Sequence, residues 1–259
     1  MNSTPHESSI ELAQRLDVSA VVGIVVATAA LSPTLHEVII GRAAQVAGEP
    51  GNDVMVRLAD AQGKFVRRRY SVRAVDATLD QLTLWVTTAH DGPGANWARS
   101  VQPGDEVDLV GPRGKITLDP MADWHLFVGD TSGLGAFYRL AQSIEVPGRA
   151  IFVVEINSPD DALTTPLDEG LGVTGIFIDR QGRAMNDATG VLSGLAAFEF
   201  PAGEGHAYLF GEFNVMKAAN VALLDRGLAE TQISRKAFWR TGRNNADHGE
   251  PDKSESQSD

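Results

Sequence analysis

The sequence predicts an antiparallel β-barrel domain followed by an α/β domain with a parallel sheet. Through residue 118, short runs rich in β-branched side chains recur between turns that contain Gly and Pro, which is typical of an antiparallel barrel. Beyond Asp119, apolar strands alternate with helical patterns, and this alternation indicates a parallel sheet with right-handed crossovers. We place the barrel at residues 18–119, the α/β domain at 120–243, and flexible segments at 1–17 and 244–259.

The barrel half contains six predicted strands. Turn signals such as Gly48-Glu49-Pro50-Gly51 and Gly111-Pro112-Arg113-Gly114 separate them, because Gly and Pro favour turn conformations. In chain order the predicted strands cover residues 22–27, 37–40, 53–58, 65–72, 82–87 and 106–110.

The second half contains buried strands and amphipathic helices in alternation. The run Trp124-His125-Leu126-Phe127-Val128-Gly129 has the near-continuous apolar character of a strand that is covered on both faces. Further strands are predicted at 150–156, 173–178 and 206–211, and helices at 135–144, 188–198 and 214–227.

Composition restricts the function of this 259-residue chain. It has no cysteine, which excludes disulfides, thiolate nucleophiles and cysteine-ligated iron–sulfur clusters, so a redox cofactor would be organic or haem. The six histidines form no pair at helical ligand spacing, and we expect no structural metal. The net charge of −12 disfavours nucleic acid and anionic membranes as partners. No signal or membrane-spanning segment is predicted, so we expect a cytoplasmic protein; the oligomeric state stays open, a monomer included.

A basic cluster is the first candidate site. Five of the ten residues from 64 to 73 are Lys or Arg. Because side chains alternate along a strand, Arg68 and Tyr70 share one face, and Ser71 shares the other with Arg69. Arginine can bind a pyrophosphate, tyrosine can stack on a ring and serine offers a hydroxyl, a combination that suits a flavin dinucleotide. A solvated basic strand at a sheet edge explains the cluster equally well.

A glycine-rich turn is the second candidate. Residues 90–98 read His90-Asp91-Gly92-Pro93-Gly94-Ala95-Asn96-Trp97-Ala98. A helix that begins near Ala95 would direct free amides at a phosphate, complementing Arg68. The pattern by itself favours a surface turn with Trp97 packed under the barrel.

Two turns of the α/β half are further candidates. Residues 129–135, which contain Thr131, occupy the first βα turn, where such sheets bind a dinucleotide pyrophosphate. The turn departs from the six-residue Rossmann fingerprint, and strand–Gly–helix joins also occur for packing alone. Glu212 follows the last predicted strand, where it would either face a cofactor or complement the following helix. His125 is expected to be a core or edge residue, since no neighbour in sequence would orient it for catalysis.

Two aromatic residues lie close to the C-terminus. Phe238 and Trp239 interrupt a polar tail, so they need a packing partner, either the protein core or a flavin ring.

Seven motifs in this order resemble the siderophore-interacting protein family, whose members are FAD-dependent ferric-siderophore reductases of the ferredoxin reductase superfamily. The resemblance spans residues 21–243. The motifs are Arg68-Arg69-Tyr70-Ser71-Val72-Arg73, His90-Asp91-Gly92-Pro93-Gly94 with Trp97-Ala98, Pro103-Gly104-Asp105, Gly111-Pro112-Arg113-Gly114, Gly129-Asp130-Thr131, Gly211-Glu212 and Trp239-Arg240-Thr241-Gly242.

The resemblance implies roles for individual residues. Arg68 would bind the FAD pyrophosphate, Tyr70 would pack on the flavin and ribityl portion, and Ser71, the candidate catalytic residue, would reach flavin N5. Trp239 would close the pocket. The implied cofactor-binding residues are Arg68, Tyr70, Ser71, Val72, Arg73, His90, Gly92, Gly94, Ala95, Asn96 and Trp97 for FAD, Thr131 and Glu212 for the nicotinamide, and Trp239.

The resemblance also implies an activity, the reduction of ferric siderophore with NADH or NADPH and release of Fe(II) in the cytoplasm. A general flavin or ferredoxin-type reductase and a non-catalytic flavin-containing siderophore-binding protein are the alternatives. Glu155, Asp160 and Asp161 would disfavour a 2′-phosphate if they face it, which favours NADH slightly.

Ferric siderophores are often anionic, so an acidic protein needs local positive charge near the flavin edge. The candidates are Lys217, Lys236, Arg240 and Arg243. A solvated surface position is the favoured interpretation of any one of them, whereas the four as a group favour a substrate-binding patch.

Overall fold

The computed structural model describes residues 7–60, 62–146, 149–162 and 174–242. They form a closed six-stranded antiparallel barrel followed by a five-stranded parallel sheet with helices, which confirms the predicted fold class. The disordered tail predicted at 244–259 lies outside the described residues.

All six predicted barrel strands are present, each somewhat longer than predicted. Their order around the barrel is β1-β2-β5-β4-β3-β6, and pairing of the first with the last closes it. A helix, α2 (Pro93–Ser100), lies in the connection between the fifth and sixth strands of the barrel. The strands are β1 (Ser19–Ser32), β2 (Leu35–Gly41), β3 (Asp53–Ala59), β4 (Phe65–Asp76), β5 (Gln81–Thr87) and β6 (Glu106–Arg113).

The prediction of a flexible segment at 1–17 is wrong for part of its length. Residues Ser9–Leu16 form helix α1, which a capping box between Ser8 and Glu11 begins. Leu12 is buried against the outer face of the barrel beside β3 and β6. The capping box and the apolar contact together stabilise this helix, although the polar composition of the segment favoured a flexible chain.

The α/β domain has the strand order β11-β10-β7-β8-β9, and all of its strands are parallel. Three strands, β7, β8 and β10, are buried along their whole length, which explains their near-continuous apolar sequences. The elements are β7 (Trp124–Asp130), α3 (Leu134–Ala141), β8 (Ala150–Ile156), β9 (Thr174–Asp179), α4 (Thr189–Ala197), β10 (Gly205–Glu212), α5 (Phe213–Asp225) and β11 (Ile233–Trp239).

The edge strand β11 was not predicted. Its sequence carries the polar run Ser234-Arg235-Lys236, and most of its side chains are partly exposed. Edge strands can carry charged residues that interrupt the apolar pattern, so this segment has no clear strand signal until its partner β10 is known.

The two domains share a hydrophobic core. Leu35 and Trp85 of the barrel pack with Phe137 and Tyr138 of α3, and the Trp85 and Tyr138 ring centroids are 5.2 Å apart. Helices α4 and α5 pack on the other face of the sheet. A Cβ at Gly135 would lie 3.5 Å from Trp85 Cβ, so the start of α3 meets the barrel beside β4 and β5.

A polar network fastens the connection between the domains at the amino edge of the sheet. The Asp119 amide donates to Tyr208 Oη over 2.7 Å, and the Asp119 carboxylate lies 3.1 Å from His206 Nδ1. Ser234 Oγ lies 2.9 Å from His206 Nε2, which ties β11 to the same network. Among the described residues, no helix is long and apolar enough to cross a membrane.

We expect stability to fall as the pH drops from about 6.5 to 4, because His125 is buried as predicted and burial lowers its pKa to about 4. The unfolded chain, with an ordinary pKa near 6.5, then binds the proton more tightly than the folded protein. The loss approaches about 3 kcal/mol, and His206, whose pKa burial also lowers, acts in the same direction. Urea unfolding at pH 7 and pH 4.5 measures this loss of unfolding free energy. If His125→Gln lost as much stability between the two pH values as the unaltered protein, the assignment to His125 would be contradicted.

Candidate functional site

Strand β4 places the predicted flavin residues on two faces. Tyr70 and Val72 point into the barrel core with Val66, whereas the odd-numbered side chains point away from it. Val72 is fully buried and its amide donates to Asn52 O, so it supports the strand and offers no side chain to a cofactor. Ser71 is partly buried on the opposite face.

Tyr70 lies against helix α2. Its ring centroid is 5.9 Å from that of Trp97, and a Cβ at Gly94 would lie only 2.0 Å from Tyr70 Oη. Glycine is therefore required for this close approach. Burial raises the pKa of the Tyr70 phenol far above its ordinary value, so the hydroxyl stays protonated. Strand β4 and the glycine-rich turn, predicted to converge, are in contact.

The first turn of α2 offers free donors. Gly92 is its N-cap residue, and no side chain caps the helix. The first amides of a helix have no intrahelical acceptor, and Pro93 removes one of them, which leaves the amides of Gly94 and Ala95. A Cβ at Gly92 would meet nothing within 4 Å, so space for a ligand adjoins these amides.

Arg68 lies two residues before Tyr70 on β4, the strand that contacts the turn. Its positive charge acts on the Tyr70 phenol, and its Nη1 donates to Arg67 O over 2.9 Å. The partly buried guanidinium, the uncapped amides and the open space at Gly92 are a donor set that fits a pyrophosphate.

Other predicted FAD residues have structural partners. Arg73 Cζ lies 4.7 Å above the Trp85 ring, and its Nη1 donates to Gln142 Oε1 over 2.8 Å, so it packs between the domains. Ala95 is buried, so it offers a main-chain group alone. Asn96 is exposed and accepts from Arg99 Nη1 over 3.2 Å.

Two stacked rings, one from each domain, connect the barrel with the α/β domain. The rings of His90 and Trp239 are nearly parallel, at 7°, with centroids 5.4 Å apart. Trp239 Nε1 donates to Asp130 Oδ2 over 3.2 Å, and the same oxygen accepts from the Glu212 amide over 2.9 Å. Asp130 thus orients Trp239, a role missed in the sequence although Asp130 stands in the Gly129-Asp130-Thr131 motif.

Two family models match the chain. The siderophore-interacting FAD-binding domain matches residues 41–116, and the siderophore-interacting protein model matches residues 122–242. The chain belongs to the siderophore-interacting protein family. Its FAD-binding part covers strands β3 to β6 and helix α2, where the donor set described above lies.

Two family relatives show how far the similarity extends. A protein of Mycobacterium tuberculosis described as uncharacterized is 27% identical over 189 residues, which are 68% of this chain and 65% of the relative. The ferric vibriobactin reductase of Vibrio cholerae is 26% identical over 187 residues, 70% of this chain and 67% of the reductase. The aligned part therefore spans about two thirds of each relative.

Solved structures show the same fold. A siderophore utilization protein from T. fusca superposes with a TM-score of 0.77 at 25% identity, covering 89% of this chain and 97% of that one. A ferredoxin NADP+ reductase from Neisseria gonorrhoeae with bound FAD and NADP has a TM-score of 0.67 at 16% identity, covering 85% and 99%. At that identity the second shows the ferredoxin reductase-like fold alone.

In the α/β domain of this family member, the side chains predicted to bind the nicotinamide form hydrogen bonds with other residues of the protein. Thr131 is buried and its hydroxyl accepts from Asn157 Nδ2 over 3.2 Å. The fully buried Glu212 carboxylate accepts from the amides of Asn214, Val215 and Thr241. Of its two predicted roles, the structure shows the complement to the helix, since Glu212 caps α5.

Two of the three carboxylates behind the charge argument for NADH are paired inside the protein. Glu155 is buried and its carboxylate pairs with Arg180 and Arg183 at 3.1 and 2.9 Å. Asp161 is fully buried and accepts from Thr34 Oγ1 over 2.7 Å and from the Ser158 amide over 3.0 Å. These two carboxylates are therefore not free to repel a 2′-phosphate, whereas Asp160, the third, is exposed, and the preference for NADH stays a prediction.

The basic residues predicted to meet the substrate have different surroundings. Lys217 is exposed on α5, and Arg240 Cζ lies 4.6 Å above the Phe213 ring at the start of the same helix. Lys236 instead forms an ion pair with buried Asp53, which reduces the charge it offers to a ligand. Arg243 lies outside the described residues.

Proposed function

We propose that this protein is a FAD-dependent ferric-siderophore reductase that uses NADH or NADPH and releases Fe(II) in the cytoplasm. The observation that carries the proposal is the contact between β4 and α2, which brings Tyr70 beside the uncapped start of the helix on the strand that also carries Arg68. The similarity to the ferric vibriobactin reductase supports the choice of substrate.

Different residues would bind different parts of the cofactor. Arg68 and the amides of Gly94 and Ala95 would hold the FAD pyrophosphate, and the ring of Tyr70 would form the wall of the site. Ser71 would present its hydroxyl to the flavin ring. Bound FAD supplies the redox chemistry that accepts an electron pair from a hydride donor and passes electrons one at a time to ferric iron.

The substrate chemistry explains why reduction releases the metal. Siderophores bind Fe(III) through hard oxygen donors, which hold Fe(II) less tightly. No protein acid or base is needed, so the task of the chain is binding and orientation. The Trp239 and His90 stack would cover the site at the domain junction, and Arg240 with Lys217 would attract an anionic ferric complex to a protein of net charge −12.

The test is an absorbance spectrum of the purified protein before and after anaerobic NADH or NADPH. We expect bound FAD, bleaching of its visible bands by one nicotinamide, and accumulation of Fe(II) in a chelating trap once ferric siderophore is added. Bleaching with flavin or ferredoxin acceptors but no Fe(II) would indicate a general reductase. A protein that changes spectrum with siderophore yet does not turn over would be a binding protein, and one that binds no added FAD would exclude all three.

A further inference from the structure

A buried carboxylate receives a cation from each domain. Asp53 is 1% exposed, and its two carboxylate oxygens accept from Nε and Nη2 of Arg69, each over 2.8 Å. Lys236, from β11 of the α/β domain, donates its ammonium to the same carboxylate. Asp53 is therefore the common partner of one barrel cation and one α/β cation.

The position of Asp53 gives this ion cluster its importance. Asp53 begins β3 and lies opposite Ser71 in the ladder with β4, the strand that carries the predicted flavin residues. Lys236 precedes Trp239 by three residues on β11. The cluster thus connects the strand of Ser71 with the strand of Trp239.

The ion pair between Lys236 and Asp53 is largely shielded from water. The side chains of Lys236 and Asp53 are 23% and 2% exposed. Burial lowers the pKa of Lys236, and the Asp53 carboxylate opposes that shift. A charge in such a place depends on its partner, since an unpaired buried ion is strongly unfavourable.

Other contacts hold the domains together independently of the cluster. The shared core at Trp85 and Tyr138 is one, and Arg139, which donates to Ala47 O and Gly48 O over 3.3 and 2.5 Å, is another. Loss of Lys236 should therefore leave the fold intact and loosen β11 locally.

We propose that Asp53 and Lys236 form an interdomain latch that positions β11, and with it Trp239, against the flavin-binding strand. Lys236 is then a positioning residue for electron transfer and not a contact for the ferric substrate. The kinetic part of the proposal rests on the proposed function, whereas the latch itself does not.

The central variant is Lys236→Met, which keeps the length of the side chain and removes the charge while Arg69 still pairs with Asp53. We expect normal FAD affinity, flavin reduction by the nicotinamide slowed by about tenfold, and little change in the KM for ferric siderophore. Lys236→Arg should restore much of the rate, because its guanidinium can still pair with Asp53. Lys64→Met, at an exposed turn of the barrel, is the control for loss of one positive charge.

The two assignments of Lys236 give opposite results. If Lys236 contacts the ferric complex, Lys236→Met raises KM in a salt-dependent way and leaves flavin reduction unchanged, and the latch is refuted.

A measurement without turnover tests the latch even if the protein reduces no siderophore. In Lys236→Met, amide hydrogen exchange should accelerate in residues 233–242 and stay unchanged in α3. Asp53→Asn alone and combined with Lys236→Met should give non-additive changes in unfolding free energy. Unaltered exchange in β11, or additive changes, would overturn the latch whatever the activity.

Discussion

Replacing Arg68 with alanine is expected to weaken FAD binding by about 1.5–3 kcal/mol, the range for hydrogen bonds to charged groups. Arg68 is the β4 cation whose charge acts on Tyr70, and Tyr70 contacts the first turn of α2, so its removal takes charge from the proposed pyrophosphate site. Fluorescence titration of the flavin-free protein with FAD measures the loss, which corresponds to about tenfold or more in Kd.

Arg67→Ala is the matched control for this experiment. Arg67 is the preceding residue of the same strand, but it points to the opposite face and donates to the main chain at Glu7 over 2.6 Å. Its replacement should loosen α1 and leave FAD affinity unchanged. Equal affinity in Arg68→Ala and the unaltered protein would assign the pyrophosphate to other residues.

Gly92→Val should weaken FAD binding by about 1–3 kcal/mol, the usual cost of filling an occupied space, without disturbing the protein itself. Gly92 has extended backbone, φ 160° and ψ 166°, which valine can adopt, and a Cβ there meets no protein atom within 4 Å. The added methyl groups would enter the space beside the α2 amides. Isothermal titration with FAD, together with urea unfolding of the flavin-free protein, separates the two effects.

In the flavin-free protein, Gly92→Val should change stability by less than about 1 kcal/mol, the scale of an altered N-cap. Ser100→Val, at the other end of α2, is the control that places the same side chain on this helix away from Gly92. Tight FAD binding by Gly92→Val would show that the phosphates do not approach this turn.

The strands of the core could be predicted because burial acts on their own composition. Strands β7, β8 and β10 are covered on both faces, so nearly every residue is apolar and the pattern is visible without knowledge of the neighbours. Strand β11 is half-buried at an edge, and helix α1 depends on a capping box and one apolar stripe. The partner of β11 lies elsewhere in the chain, so its own pattern did not reveal it, whereas the capping box of α1 is a local signal that was overlooked.

The candidate site shows the same division. The contact between Tyr70 and the glycine-rich turn follows from two motifs that each carry residues suited to one ligand, so chemistry predicted it. The partners of Lys236 and Glu155 did not follow in this way. A lysine or a glutamate in sequence carries a charge, but whether that charge faces a ligand or another side chain depends on the packing of distant segments.

The sequence by itself determined the two-domain fold, the approach of strand β4 to the glycine-rich turn, and the family, because these depend on periodicity and on short motifs. Only the tertiary structure showed that Asp130 orients Trp239, 109 positions away, and that Asp53 pairs with Lys236, 183 positions away. Pairs so far apart leave no local pattern, since either residue by itself is compatible with a solvated surface. Burial of both in one junction is what turns two ordinary charges into a specific contact.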